Sequence, residues 1–289
     1  MKLIAIDLDG TLLHADHKIS RENAEAIKFA QSLGIEVSIC TGRYYADAKA
    51  LTDEAGIKTH IISNNGASVC SRDGEFLETF ELDATALKDA VDWLEKNDYF
   101  YEIENDFNNM YLDTAFDTLK DDFYKAKDKY NYPDDIHLNI VGALQSQANK
   151  LVLPCAEEIL SVEDKPLNLQ VVTFDQDKRQ KAMDYCNSKS EFATFASTDY
   201  NFEVTQSITS KGHALKCLAS HLNVSLNETM AIGDSFNDLS MLKVAHYSIA
   251  MGNAREEIKK LCSFTTLKNT ENGVAHAIRT YIKKLNLYV

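Results

Sequence analysis

Proline is scarce in this chain, 3 residues in 289, and the 11 glycines mark no repeat or low-complexity tract. That excludes a collagen-like or intrinsically disordered protein. Positive charge is also short. Lys and Arg number 30 against 44 Asp and Glu, a formal net charge of −14. Non-specific binding to nucleic acid or to an anionic membrane rewards positive surface, so neither partner is expected, and an anionic substrate needs a local positive pocket. Long apolar runs are missing as well. No stretch approaches the roughly 18 uncharged apolar residues of a membrane span, and the apolar opening is interrupted by Asp7 and Asp9 before a signal peptide can form. The six cysteines (Cys40, Cys70, Cys155, Cys186, Cys217 and Cys262) contain no C-x-x-C pair. A disulfide framework or zinc knuckle is therefore not expected, and reduced thiols in a cytoplasmic protein are.

What is present, 45% hydrophobic and 26% charged residues, belongs to an ordinary globular chain. Its length is near twice the commonest domain size of roughly 100–150 residues, which favours two domains or one core with a large insertion. Apolar runs at 3–6, 35–40 and 59–63 each end in a polar loop and are separated by helical patterns, the first capped at Ser20 and stopped by Gly34. This is β-α-β-α-β, the order of a doubly wound parallel sheet. A hairpin through Asp73-Gly74 follows.

Near Leu82 the pattern changes to α+β. Helices are expected over 85–97, 116–130 and 178–188, and strands at 99–104, 110–113, 136–141, 169–174, 192–196 and 202–205; the stretch 145–161 fits helix and strand equally. The parallel pattern resumes with helices over 212–222, 238–243 and 255–261 and strands at 229–232 and 247–250. The expected architecture is an α/β core made of 1–82 and 206–289, interrupted by an α+β domain over 83–205.

The loops after the parallel strands carry the chemistry, because ligands bind at the carboxyl ends of such strands. Asp7-Leu8-Asp9-Gly10-Thr11 offers two carboxylates two residues apart, with Gly10 letting the chain turn so that both address one site. Gly233-Asp234-Ser235-Phe236-Asn237-Asp238 is a second carboxylate-rich strand end. Two such loops call for an oxygen-ligated divalent cation. Thr41-Gly42-Arg43 supplies a hydroxyl and a bare backbone N–H suited to a phosphate oxygen. Lys211 opens a helix, where the macrodipole disfavours a cation by roughly 0.3–1 kcal/mol, so an anion is expected beside it. On that reading, removing Lys211 leaves stability unchanged or slightly raised. Arg43 reads as a structural ion-pair partner, Cys40 as a core thiol, His14 and His17 as solvated loop residues, and Trp93 with Tyr99-Phe100-Tyr101 as core of the insertion.

In this order the residues resemble the haloacid dehalogenase superfamily of phosphotransferases, whose signatures match Asp7-x-Asp9-x-Thr11, Thr41, Lys211 and Gly233-Asp234-x-x-Asn237-Asp238. Asn64-Asn65-Gly66-Ala67, 249–254 and 271–275 look like secondary signatures of its Cof-type sugar-phosphatase branch. The segment before Lys211 lacks the Pro and Gly that this branch often has, and Asn272 stands where the family often has Asp. The resemblance implies a Rossmann-like core with a cap domain inserted between the Thr41 and Lys211 motifs. It implies Mg²⁺-dependent hydrolysis of a small phosphorylated metabolite, such as a sugar phosphate, through an aspartyl-phosphate. Asp7 is then the nucleophile and Asp9 the general acid and base. Thr41, Gly42, Lys211 and Asn237 hold the phosphoryl oxygens, and the cation rests on Asp7, the Asp9 main-chain carbonyl and Asp234, with Asp238 orienting the metal shell. The cap is expected to close over the site and read the leaving group. A phosphomutase of the same superfamily and a non-catalytic phosphometabolite-binding module are the alternatives.

Overall fold

The computed structural model describes residues 1–146, 149–196 and 198–284. Residues 147–148 of the unassigned stretch and 285–289 of the expected core lie outside them. Leu3, Ile4, Ala5 and Ile6 form β1 (Leu3–Ile6), and all are fully buried. Successive strand side chains leave on opposite faces, so such a run needs cover on both. There follow α1 (Arg21–Ser32), β2 (Glu36–Cys40), α2 (Tyr45–Glu54), β3 (His60–Ser63) and the antiparallel pair β4 (Ser68–Cys70) and β5 (Phe76–Thr79). Ser20 caps α1 by accepting from the Asn23 N–H at 3.1 Å, and Gly34, at φ 77°, turns the chain out of it.

The chain divides into two compact units, one of Met1–Thr79 with the segment from Thr209 onward, the other Phe80–Ile208. The second contains α3 (Ala84–Lys96), β6 (Phe100–Glu104), β7 (Asn109–Leu112), α4 (Ala115–Tyr130), α5 (Asp135–Ser146), β8 (Lys150–Leu153), α6 (Ala156–Leu160), β9 (Asn168–Val172), α7 (Gln176–Asn187), β10 (Phe192–Phe195) and β11 (Asn201–Gln206). Its six-stranded sheet runs β10-β11-β9-β6-β7-β8. Residues 136–141, expected as a strand, lie inside helix α5. In a strand Leu138 would share a face with Ile136 and Ile140. Instead Leu138 is exposed, while Ile136, Ile140, Val141 and Leu144 pack at helical spacing on the cluster containing Phe123 and Phe174. The ambiguous stretch resolves into β8 and α6.

On one face of this sheet the strands also bury a polar band. Glu102 Oε2 accepts from Asn109 Nδ2 at 2.7 Å and Gln170 Nε2 at 3.2 Å, and Glu104 Oε2 accepts from Asn168 Nδ2 at 2.8 Å. Burial pushes the Glu102 carboxyl up to about 7, although both amides favour its charge.

The first unit is completed by α8 (Lys211–His221), β12 (Thr229–Gly233), α9 (Leu239–Val244), β13 (Tyr247–Ala250), α10 (Glu256–Leu261), β14 (Phe264–Thr265) and α11 (Gly273–Lys284). Its eight-stranded sheet has the order β14-β13-β12-β1-β2-β3-β4-β5 and is parallel from β14 to β3. Ile4, Ile6, Val37 and Ile39 pack under the face carrying α1, α2 and α11; Leu3, Ala5, Cys40 and Ala231 pack under the face carrying α8, α9 and α10. This is the doubly wound arrangement. β14 and α11 are not among the elements expected from the sequence, although the apolar residues of α11, Val274, Ile278, Tyr281 and Ile282, keep helical spacing.

Candidate active site

β1, β2, β3 and β12 run parallel, so Asp7, Thr41, Asn64 and Asp234 leave the same edge of the sheet. Gly10, at φ 77°, turns the chain after Asp9. A Cβ there would lie 2.5 Å from Asp234 Oδ2, so glycine is also what lets the two carboxylate loops approach. Asn253 Nδ2 holds the Gly10 carbonyl at 2.8 Å.

Carboxylate oxygens of Asp7, Asp234 and Asp238 lie within 4.8 Å of one another. Lys211 is fully buried, and its Nζ donates to Asp7 Oδ1 and to Asp238 Oδ1, both at 2.7 Å. The anion expected beside Lys211 is therefore supplied by the chain itself. This corrects the expectation that Lys211 is a destabilising cation. Burial opposes its charge, but Asp238 and Asp7 outweigh that and raise its pKa. Asp238 is held through both of its oxygens. Its Oδ2 accepts the backbone N–H groups of Asp234 and Ser235, each at 3.0 Å, while Oδ1 takes Lys211. Thr11 Oγ1 donates to Asp234 Oδ1 at 2.9 Å.

Three carboxylates around one ammonium leave an excess of negative charge. Burial, with Asp238 beside it, pushes the Asp7 carboxyl well above the usual carboxylate range, and burial with Asp238 brings Asp234 up to about 6. An all-oxygen, over-charged donor set fits a hard divalent cation. Asp7 and Asp234 would hold it, with Asp238 fixing the loop that presents Asp234.

Asp9 is placed differently. Its side chain is half exposed and held by the Arg43 fork, Nε to Oδ2 and Nη2 to Oδ1, each at 2.8 Å, while Arg43 Nη1 reaches Asp47 Oδ2 at 2.7 Å. Its carboxylate stands outside the three-carboxylate cluster. Thr41 Oγ1 accepts the Arg43 N–H at 3.1 Å, and a Cβ on Gly42 would lie 3.3 Å from the Asn65 carboxamide. Asn237 Nδ2 donates to Asn65 Oδ1 at 3.2 Å. Asn65, expected from the sequence only as part of a family signature, thus lies between Gly42 and Asn237. Asn-Asn-Gly at a strand's carboxyl end, three residues tolerant of positive φ, is the signal that marks it.

Cys40 is a core thiol, pushed up to about 12 by burial. His14 Nε2 and Ser20 Oγ both meet Asn272 Oδ1, at 2.9 and 2.7 Å, so His14 is bound within the core fold.

The sequence model of haloacid dehalogenase-like hydrolases matches residues 4–278. The chain belongs to that family. This haloacid dehalogenase-like hydrolase is 36% identical over 288 residues to phosphatase YwpJ of Bacillus subtilis (strain 168), covering 96% of this chain and 99% of the relative. It is 35% identical over 283 residues to 5-amino-6-(5-phospho-D-ribitylamino)uracil phosphatase YwtE of the same organism, covering 96% and 97%. The solved structure of a haloacid dehalogenase-like hydrolase from B. subtilis matches with TM-score 0.82 and 35% identity, covering 96% of this chain and 99% of that one. The superfamily expected from the two aspartate loops, and the doubly wound core, are borne out.

Proposed function

We propose that this phosphatase hydrolyses small phosphomonoesters, sugar phosphates or related phosphorylated polyols, with Mg²⁺ and through an aspartyl-phosphate on Asp7. The observation that carries the reading is the buried Lys211 bridge between Asp7 and Asp238, with Asp234 alongside. A buried cation aligned on one oxygen of a strand-end carboxylate fixes that carboxylate's orientation, which in-line attack on phosphorus requires. Asp7 forms a bond to phosphorus as the ester P–O bond breaks. The leaving alkoxide takes its proton from Asp9, which then removes a proton from the water that opens the intermediate. Asp9 must leave the Arg43 fork to do so, and its exposure gives it room to turn. Thr41, the Gly42 N–H, Lys211 and Asn237 stabilise charge on the transferring oxygens. Mg²⁺, when bound at Asp7 and Asp234, supplies charge neutralisation for the carboxylates and the phosphoryl group.

A phosphate-release screen over hexose, pentose and ribityl phosphates tests this. Mg²⁺-dependent release that EDTA abolishes is expected. Asp7→Asn, nearly isosteric but neither nucleophilic nor anionic, should retain below about 1% of turnover while remaining folded. Substantial activity in pure Asp7→Asn would remove Asp7 from the nucleophile role. With a sugar bisphosphate as phosphoryl donor, return of the phosphoryl group from Asp7 to a sugar monophosphate, rather than to water, would identify a mutase.

A further inference from the structure

We propose that Asn65 is a positioning residue of the phosphoryl site, acting through Asn237; the inference rests on the phosphatase reading above. After β3 the chain passes through three successive residues of positive φ, Asn64 at 48°, Asn65 at 53° and Gly66 at 102°. Non-glycine residues enter that region at a cost, and a tandem pair persists only where surrounding contacts hold it. Those contacts lead to the phosphate-binding loops. The Asn65 N–H donates to the Thr41 carbonyl at 3.0 Å and the Asn64 N–H to the Arg43 carbonyl at 2.9 Å. A Cβ on Gly66 would lie 2.4 Å from the Ser210 carbonyl oxygen and 3.0 Å from the Lys211 nitrogen, so the loop sits directly against the start of α8. Asn65 is 3% exposed, and its side chain lies against Gly42 and accepts from Asn237 Nδ2.

This arrangement has a chemical consequence. A carboxamide donates at one end and accepts at the other, while phosphoryl oxygens at neutral pH chiefly accept. Asn237 serves them only if its nitrogen faces the site. Asn65 Oδ1, by accepting from Asn237 Nδ2, fixes which end that is and leaves the second N–H of Nδ2 for a phosphoryl oxygen. Asn65 thus specifies the orientation of Asn237 without itself touching the reacting atoms.

The test is a double-mutant cycle on the full chain with p-nitrophenyl phosphate as substrate and inorganic phosphate as competitive inhibitor. Asn65→Gly keeps the left-handed turn and removes the carboxamide. It is expected to lower kcat about tenfold and to raise the phosphate inhibition constant, with circular dichroism unchanged. Asn237→Ala should cost about a hundredfold in kcat/KM, and Asn65→Gly should add nothing further in that background. Asn65→Asp retains the acceptor and tolerates the turn, so kcat should stay within about threefold of wild type while KM rises from its added charge. Wild-type kinetics in Asn65→Gly, losses that multiply in the double mutant, or equal kcat losses in the Gly and Asp variants would overturn the assignment. Failure of the wild-type protein to release phosphate would count against the phosphatase reading instead. If Asn65→Gly does not fold, the Asp variant alone decides by its kcat.

Discussion

With its ammonium 2.7 Å from both Asp7 and Asp238 and no exposure to solvent, Lys211 can be removed only by leaving two carboxylates buried together. Breaking a buried ion pair by deleting one partner typically costs about 3–5 kcal/mol, because the remaining charge is uncompensated. Lys211→Ala should therefore lower kcat/KM by roughly 2–4 kcal/mol in transition-state terms and also lower the melting temperature. Added Mg²⁺ should recover part of the melting temperature, by neutralising the same carboxylates, without restoring activity. An unchanged melting temperature in EDTA would contradict the buried bridge. At this scale the sequence disclosed which residues carry charge at the strand ends, since D-x-D-G-T and G-D-x-x-N-D are local patterns. It did not disclose that the partner of Arg43 is Asp9, 34 positions away, or that Asn237 meets Asn65, 172 positions away. Those pairings exist only after the sheet has formed.

At the scale of elements, β1, β2, β3, β12 and β13 were legible because each is a short, largely buried apolar run ending in a polar loop, whereas β14 is two exposed residues without such a run. Residues 136–141 were not legible, because Ile136, Leu138 and Ile140 alternate with His137 and Asn139 as in a strand, while Ile136, Ile140, Val141 and Leu144 also keep helical spacing; the exposure of Leu138 separates the two. Helix approach is another property invisible in sequence. A Cβ on Gly212 would lie 2.4 Å from the Ser240 carbonyl oxygen, and backbone cannot yield as a side-chain tip does. Gly212→Ala is expected to destabilise by about 1–3 kcal/mol and to lower kcat by displacing the adjoining Lys211; melting and initial-rate measurements on one preparation check both. Strand β6 supports a pH prediction. Glu102 is raised by burial to about 7 from an ordinary 4.5, so the folded state holds an extra proton between those values. Its contribution to stability is complete below about pH 4.5 and is lost as pH rises through 7, about 3 kcal/mol in all. Glu102→Gln, neutral throughout, should melt above wild type at pH 8 and level with it at pH 4.5. Parallel melting curves for the two proteins from pH 4.5 to 8 would refute this.

For the whole molecule, a net charge of −14 and a site of crowded carboxylates make stability depend on what neutralises them. Asp7 is raised well above the carboxylate range and Asp234 to about 6, each chiefly by burial. A raised acid adds stability that is present below its ordinary value, 3.8, and lost as pH rises through the folded value. The metal-free protein should therefore lose stability across that window as the cluster ionises. A divalent cation competes with those protons for the same oxygens, so its affinity should rise as they leave. At pH 8, Mg²⁺ at about 100 times its dissociation constant should contribute about 2.7 kcal/mol, a rise of several degrees in melting temperature. At pH 5 the same concentration should give a much smaller rise. Asp234→Asn removes a ligand and one repelling carboxylate together, so it should melt no lower than wild type in EDTA at pH 8 yet show little response to Mg²⁺. The measurement is thermal melting of both proteins at pH 5 and 8, with EDTA and with Mg²⁺. An equal Mg²⁺ response at the two pH values, or a full response in Asp234→Asn, would show that the cation does not rest on this cluster.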